Sequence, residues 1–357
     1  MHPQLVPWLI AATLSVKLTR MCSSSTLNTI SDADKIISLP GHPKVSFGQY
    51  AGYIAMDEKQ QRALVYYFVE VKAELASKGP FVYPSGDVLL KSDYSRNKEA
   101  NMLHLESPAR VGFFYSVNTS CYNYVDDKVT AKDNLAFLHN WFKKFPEYEE
   151  SDLFITGGSY AGHYVPQLAM LIVQSKLFNL KGIAIGNPLL KFNTDFNSRA
   201  QSSTITPVCS CVASEASREI SRYIDTYDVT VDIDVCIEDE TVKYLNRKEV
   251  QEVLHARLVG ISSVLRYEMH ILEISIVSIL GELVKSGIHI LDSAVPLLGT
   301  WTLVNNLAKQ LGLNATYGKL AFATIRGASH TAPATQPERS LQLFTSFLRG
   351  KSLATNA

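Results

Sequence analysis

The chain has 357 residues, and its 34 basic residues balance 34 acidic ones, so the formal net charge is zero. A surface that binds nucleic acid or an anionic membrane needs a basic excess or a local block of Lys and Arg, and the sequence has neither. With 46% hydrophobic and 19% charged residues, the composition is that of an ordinary globular protein. It excludes the disordered, collagenous and disulfide-dense classes.

The N-terminus carries an apolar run at residues 5–16 (LVPWLIAATLSV), followed by Lys17, Arg20 and several small residues. A secretory leader has an apolar core of this length, whereas a helix that spans a membrane needs about 20 residues. We therefore predict a signal peptide over residues 1–25, whose cleavage leaves no membrane segment. The alternative is an N-terminal stretch that is disordered or buried.

The pattern downstream predicts an α/β fold. Alternating aromatic and β-branched residues at 45–71 predict an antiparallel hairpin, and prolines and a glycine mark residues 78–98 as a loop. Short buried strands then alternate with helical periodicity, with strands at 100–106, 152–156, 180–185, 287–291 and 322–325, and helices at 130–145, 239–256 and 337–349 besides one that ends at 174. This alternation is typical of a sheet covered by helices.

Residues 201–238 interrupt that pattern with a Ser/Thr-rich start, acidic residues and three of the five cysteines. We predict that they form an insertion, which divides the α/β domain into residues 26–200 and 239–357. The cysteines form no Cys-x-x-Cys pair and have no histidine at ligand spacing, so no zinc site is expected. No other cofactor is predicted.

The most specific chemical signal is the segment 157–162 (GGSYAG), between the strand at 152–156 and a helix. A nucleophilic serine is held on such a strand-to-helix turn, which lifts its hydroxyl above the carboxyl edge of the sheet. Small residues are needed two positions before and two after the serine, and the second of these is Ala161. A phosphate-binding loop is excluded, because it needs a lysine and a glycine spacing that are absent. The remaining alternative is a structural turn.

A nucleophilic serine needs a histidine base, which is oriented by an acid. In hydrolases with this kind of turn, the three residues occur in the order Ser, Asp or Glu, His. Asp292 follows the strand at 287–291 and His330 follows the strand at 322–325, so both are expected at the same edge as Ser159. We predict these three residues as a catalytic triad; the alternative for the aspartate is a residue that only forms a turn.

Five segments resemble the serine carboxypeptidases, in particular the plant serine carboxypeptidase-like group. They are FGQYAGYIAMDEKQQRALVYYFVE near the start, ESPARVGFFY at 106–115, DNLAFLHNWFKKFPEYEESDLFITGGSYAGHYVPQLA at 133–169, LKGIAIGNPL at 180–189 and GASHTAPATQP at 327–337. The resemblance implies an α/β-hydrolase fold, release of C-terminal residues from peptide substrates, and a secreted or vacuolar location; a homodimer is left open. It assigns Ser159 as nucleophile, His330 as base and Asp292 as the orienting acid, with the backbone N–H of Tyr160 as one oxyanion donor.

The sequence departs from the family's pattern at several positions. The family has a strand and an Asn-Gly-Gly-Pro-Gly-Cys-Ser-Ser block, which supplies the other oxyanion N–H and an Asn for the substrate carboxylate; both are absent before Gly79. We therefore expect a central sheet that is short of one strand. Gly158 replaces a Glu that helps hold the substrate carboxylate, and Arg110 and Phe114 replace a Gly and a Ser. These departures predict a serine-type carboxypeptidase with impaired activity; the alternatives are a secreted pseudoenzyme and an acyltransferase that uses the same triad.

Entry into the secretory pathway would allow glycans on asparagines and disulfides between cysteines. Asn118 and Asn314 each begin an N-glycosylation sequon. The resemblance implies that several disulfides of the family have lost a cysteine, which leaves Cys209 or Cys211 to pair with Cys236. The alternative is free buried thiols.

Overall fold

The computed structural model describes residues 12–19, 30–57, 62–71, 79–85, 88–109, 111–117, 125–190, 224–225, 228–232, 243–256, 275–293, 297–312 and 319–351. The strands are β1 (Ala12–Thr19), β2 (Gln49–Asp57), β3 (Arg62–Val69), β4 (Gly79–Ser85), β5 (Val88–Ser92), β6 (Asn101–Ser107), β7 (Tyr115–Ser116), β8 (Asp152–Gly158), β9 (Leu180–Gly186), β10 (Ile224–Asp225), β11 (Asp228–Asp232), β12 (His289–Ser293) and β13 (Leu320–Ala323). The helices are α1 (Asp127–Lys144), α2 (Ala161–Ser175), α3 (Lys248–Val253), α4 (Val277–Lys285), α5 (Leu297–Gln310), α6 (Ala332–Thr335) and α7 (Pro337–Leu348), with short 3-10 helices at Ile30–Asp34, Arg96–Lys98 and Pro146–Tyr148. Strands and helices alternate through much of the chain, which confirms the predicted α/β class.

Nine of these strands form one sheet in the order β13-β12-β9-β8-β1-β6-β3-β2, with β7 paired to β3. The neighbours among β8, β9, β12 and β13 are parallel, whereas the pairs that involve β1, β2, β3 and β6 are antiparallel. Parallel strands end at the same edge of a sheet. The residues that follow β8, β9, β12 and β13 therefore meet at one side of the molecule.

Helices cover both faces of the sheet around β8. Side chains alternate along this strand, so Leu153 and Ile155 enter the large apolar core, to which α1, α2 and α4 also contribute. Phe154 points to the opposite face and meets Phe347 of α7, with ring centroids 5.5 Å apart. This burial fixes the strand that carries the predicted nucleophile.

The place between β6 and β8 is occupied by β1, which comes from the apolar N-terminal run. Val16 lies opposite Leu103 of β6 and opposite Ile155 of β8, and both pairings are antiparallel. The expectation of a sheet short of one strand is therefore wrong. An empty position would leave two rows of backbone N–H and C=O groups unpaired inside the sheet, and the apolar run satisfies them.

Residues 12–19 also lie within the predicted signal peptide at residues 1–25. A leader cut near residue 25 would remove β1 and leave the facing backbone groups of β6 and β8 without their strand. One mature chain therefore cannot both lose this leader and keep this sheet.

Other predicted elements need smaller corrections. The hairpin of β4 and β5 replaces most of the loop predicted at 78–98, and Val82 lies opposite Leu90 in this separate two-stranded pair. Prolines mark turns, but edge strands tolerate them. Of the predicted insertion, the structure describes only β10 and β11, which pair antiparallel. No helix in the described ranges is both long and apolar enough to cross a membrane.

Candidate active site

Ser159 lies at the turn between β8 and α2. Its backbone φ is 59°, a left-handed conformation that costs about 1–3 kcal/mol for a residue with a Cβ. The Ser159 N–H donates to the Gly186 oxygen at 2.9 Å, and the Ser159 oxygen accepts from the N–H groups of Gly162 and Leu189, both at 3.0 Å. The side chain is partly exposed. The turn thus presents a hydroxyl at the sheet edge on a strained but firmly held backbone.

Close packing against the end of β9 explains one glycine of this turn. A Cβ on Gly162 would lie 2.4 Å from the Leu189 oxygen, whereas a Cβ on Gly158 would meet the Gly186 oxygen only at 3.4 Å. The backbone of the neighbouring turn therefore requires Gly162, while position 158 has room for a side chain. The nucleophile-turn pattern predicts a size limit at position 161, where Ala161 is fully buried. In the structure the strict limit lies one residue further on, at Gly162.

The other two predicted triad residues come from a neighbouring parallel strand and from a loop that follows another. Asp292 lies in β12, opposite Ile185 of β9 and Phe322 of β13. His330 lies in the loop between β13 and α6. The fold therefore brings Ser159, Asp292 and His330 to one sheet edge, but the Asp292 side chain is outside the described part of the chain. Its contact with His330 stays a prediction.

His330 is tied to the end of β9 by Asn187. The Asn187 side-chain amide donates to the His330 oxygen at 2.6 Å and to the Ser329 oxygen at 3.3 Å. Burial lowers the pKa of His330 below its ordinary value, because the charged imidazolium is poorly solvated there. The ring therefore stays neutral, and able to accept a proton, at a lower pH than an exposed histidine.

A buried polar cluster holds the residue that follows the nucleophile. Asp127, at the start of α1, accepts a hydrogen bond from the Tyr160 hydroxyl at 3.0 Å and contacts Nδ1 of His163 at 2.9 Å. The Tyr160 and His163 rings stack with centroids 5.0 Å apart, and all three residues are at most 3% exposed. The helix layer thereby fixes Tyr160, whose backbone N–H is the predicted oxyanion donor.

A second, half-buried carboxyl lies at the end of β6. Glu106 accepts a hydrogen bond from the Phe113 N–H at 2.7 Å. A Cβ on Gly112, whose φ is 50°, would overlap the Glu106 carboxyl. Burial raises the pKa of Glu106 to about 8, although the N–H groups of Phe113 and Phe114 favour its ionised form. This carboxyl therefore keeps its proton at neutral pH in the folded protein.

The roles of Asn187, Asp127 and His163 are not predictable from the sequence, because their partners lie 33 or more positions away in the chain. Glu106, whose partner Phe113 lies seven positions away, is not predicted either. The sequence Asn187-Pro188 after a strand does signal a turn, but not the link to His330. Several predicted residues lie outside the described ranges, and predictions about them are untested: Arg110, Asn118, Asn314, Cys209, Cys211 and Cys236. Within those ranges, no group of three or more His, Cys, Asp and Glu residues is placed to hold a metal ion.

Sequence comparison finds close relatives among plant proteins. Serine carboxypeptidase-like 45 of Arabidopsis thaliana is 43% identical over 435 residues, which covers 91% of this chain and 94% of the relative. Serine carboxypeptidase-like 46 of the same plant is 42% identical over 456 residues, with 97% and 98% covered. Both alignments are longer than this chain of 357 residues, so they contain positions that the chain lacks.

Structure comparison shows the fold. A prohormone-processing carboxypeptidase of Saccharomyces cerevisiae superposes with a TM-score of 0.67 at 16% identity, covering 91% of this chain and 97% of that one. The two share a fold, and it is the predicted α/β-hydrolase arrangement. The family model described as serine carboxypeptidase matches residues 71–223 and 201–350. With these matches and the geometry of the Ser159 turn, the chain belongs to the serine carboxypeptidase family.

Proposed function

We propose that this protein is a serine-type carboxypeptidase that forms an acyl-enzyme through Ser159 and releases C-terminal residues far more slowly than an intact relative. The observation that carries the proposal is the strained Ser159 turn, which is hydrogen-bonded to the end of β9 beside the loop of His330. Peptides are the substrate class that the family implies.

In this mechanism, Ser159 Oγ attacks the carbonyl carbon of the last peptide bond while His330 accepts the hydroxyl proton. The imidazolium then gives that proton to the departing amine, and the C–N bond breaks. Water, activated by the same ring, hydrolyses the acyl-enzyme and restores the serine. Asp292 orients the ring, and the Tyr160 N–H, next to the N-terminus of α2, stabilises the oxyanion.

The expected weakness comes from parts of the family pattern that the sequence lacks. Losing one oxyanion donor costs on the order of 100- to 1000-fold in turnover. The missing Asn and the replacement of Glu by Gly158 remove contacts to the substrate carboxylate, each worth about 1.5–3 kcal/mol. Turnover several orders of magnitude below that of an intact relative follows.

The test uses a fluorophosphonate probe and blocked dipeptides at pH 4–6. We expect slow covalent labelling of wild-type protein, loss of labelling in Ser159→Ala, and peptide hydrolysis near the detection limit. Because burial lowers the pKa of His330, the labelling rate should reach half its maximum below pH 6.5, the ordinary histidine value.

Other outcomes would replace the proposal. Turnover equal to that of an intact relative, abolished by Ser159→Ala, would show an oxyanion hole rebuilt from other residues. Efficient acyl transfer from an activated ester to an alcohol would favour the acyltransferase. Wild-type protein that labels no faster than Ser159→Ala would identify a pseudoenzyme.

We further propose a secretory route, with glycans on Asn118 and Asn314 and a disulfide between Cys236 and either Cys209 or Cys211. A glycosidase-induced mass change on the two sequon peptides tests the first point. Non-reducing peptide mapping tests the second, and a reduced Cys236 would contradict it. Light scattering of the purified protein would distinguish a monomer from a homodimer.

A further inference from the structure

We infer that Asn187 is a positioning residue, whose side-chain amide joins the His330 loop to the turn that holds Ser159 and so fixes the base relative to the nucleophile. The inference rests on the proposed function, since it concerns how Ser159 and His330 act together. It adds a residue that neither touches the substrate nor belongs to the triad.

The backbone of Asn187 is held in an unfavourable conformation. Its φ is 46°, in the left-handed region that asparagine and glycine tolerate best. It also precedes Pro188, and a residue before proline is pushed towards extended conformations. Such a conformation persists where the surroundings determine it and occurs often at functional sites.

One turn of four residues contacts both halves of the predicted catalytic pair. The Gly186 oxygen accepts from the Ser159 N–H at 2.9 Å, and the Leu189 N–H donates to the Ser159 oxygen at 3.0 Å. Between them, the Asn187 amide donates to the His330 oxygen at 2.6 Å. Asn187 is only 9% exposed, so water competes little for these bonds.

The Asn187 amide links the His330 loop to the sheet. Ser329 also donates from its N–H to Thr335 Oγ1 at 3.0 Å, which ties the loop to α6. The bond from Ser329 to Thr335 holds the His330 loop to α6, whereas the Asn187 amide holds the loop to the end of β9, beside Ser159. Without the amide, the His330 ring is expected to move away from the Ser159 edge and towards solvent.

The test compares Asn187→Gly, Asn187→Asp and Asn187→Ser. Glycine accepts the left-handed backbone but removes the amide. Aspartate keeps the shape but turns a carboxylate towards two carbonyl oxygens, and serine retains a shorter donor. Lys176→Gly is the matched control, because Lys176 also has a positive φ, 55°, at the end of α2.

Two readouts are needed: the fluorophosphonate labelling rate against pH, and the titration of the His330 ring by NMR with selectively labelled histidine. We expect labelling to fall at least tenfold in Asn187→Gly, further in Asn187→Asp and less in Asn187→Ser. The His330 titration should move up towards that of an exposed histidine. Lys176→Gly should change neither quantity, at a comparable melting temperature.

The two readouts separate this inference from the proposed function. If wild-type Ser159 does not react but the His330 titration still shifts in Asn187→Gly, the proposed function fails and the positioning role stands. A folded Asn187→Gly with wild-type labelling and wild-type titration would overturn the positioning role. If Asn187→Gly does not fold, the same criteria apply to Asn187→Asp, which keeps the shape of the side chain but has no donor.

Discussion

The two strands that flank β8 have different origins. β9 runs parallel to β8, follows it along the chain through α2, and sends Gly186 and Leu189 into the Ser159 turn. β1 runs antiparallel and comes from the N-terminus. An antiparallel strand brings its beginning, not its end, to the edge where Ser159 lies, and Ala12 is opposite Ser107 there. Filling the strand position therefore restores the backbone pairing of the sheet but does not restore a loop that follows a parallel strand.

The largest effect is expected from removing β1. Deletion of residues 1–25 should abolish cooperative folding, because the exposed backbone and apolar surface would cost as much as the 5–15 kcal/mol, roughly, that stabilises a typical domain. The matched control is deletion of residues 1–11, which leaves Ala12–Thr19 in place. Circular dichroism and thermal melting measure the result.

If the protein without residues 1–25 melts like the full chain, β1 is dispensable and the predicted leader can be cleaved without loss. If it does not fold, N-terminal sequencing of a correctly folded product should find a start before Ala12.

On the β9 side, the helix layer supports the Ser159 turn, and Asp127 tests that support. Asp127→Ala leaves the polar groups of Tyr160 and His163 buried without their acceptor, at about 1–3 kcal/mol each. We expect a total loss of about 2–6 kcal/mol in the free energy of unfolding, measured with urea. Tyr160→Phe removes one of the two contacts and should cost only about 1 kcal/mol; equal losses in the two variants would contradict this account.

The fit between the Ser159 turn and the end of β9 can be tested with two glycines. Gly162→Ala places a Cβ 2.4 Å from the Leu189 oxygen and should cost about 3 kcal/mol, because backbone must move. Gly158→Ala has a nearest contact of 3.4 Å and should change stability by less than about 1 kcal/mol. Thermal melting of the two variants checks the difference, which would vanish if the turn were loosely packed.

Glu106 lies at the end of β6, the strand beside β1, and we expect it to make the stability of the protein depend on pH. Burial raises its pKa from 4.5 to about 8 in the folded state, so between these values the unfolded chain binds fewer protons than the folded one. The protonated Glu106 carboxyl therefore makes its full contribution to stability below about pH 4.5, and this contribution is lost as the pH rises to about 8. We expect the wild type to lose about 3–4 kcal/mol between pH 5 and pH 8.

Glu106→Gln should flatten that dependence, because an amide has no proton to lose in this range. Glu150→Gln, at an exposed position, is the control and should leave the slope unchanged. Urea unfolding at several pH values measures how the free energy of unfolding changes with pH. An equal pH dependence in Glu106→Gln and the wild type would show that another group titrates.

Features set by neighbours in the chain were predictable from the sequence. The strand before Ser159, the glycines around it and the apolar periodicity after it are local signals, and they placed β8, the turn and α2 correctly. The order of Ser159, Asp292 and His330 followed from a rule about strand ends. The structure shows all three at one edge, with the contact between Asp292 and His330 untested.

Features set by distant partners were not predictable. An apolar run of about a dozen residues is compatible with a leader and with a buried strand, and only the pairing of Val16 with Leu103 and Ile155 distinguishes them. The hydrogen bond from Asn187 to His330 likewise joins two segments 143 positions apart. Neither segment has a sequence pattern that predicts contact with the other.

The position of β1 in the chain affects when the sheet can form during translation. Translation produces β1 first, but its partners β6 and β8 emerge roughly 90 and 140 residues later, a delay on the order of 10 s at ordinary elongation rates. During that interval the apolar segment of β1 has no sheet to join. If this segment also acts as the predicted leader, capture of the nascent chain competes with completion of the sheet.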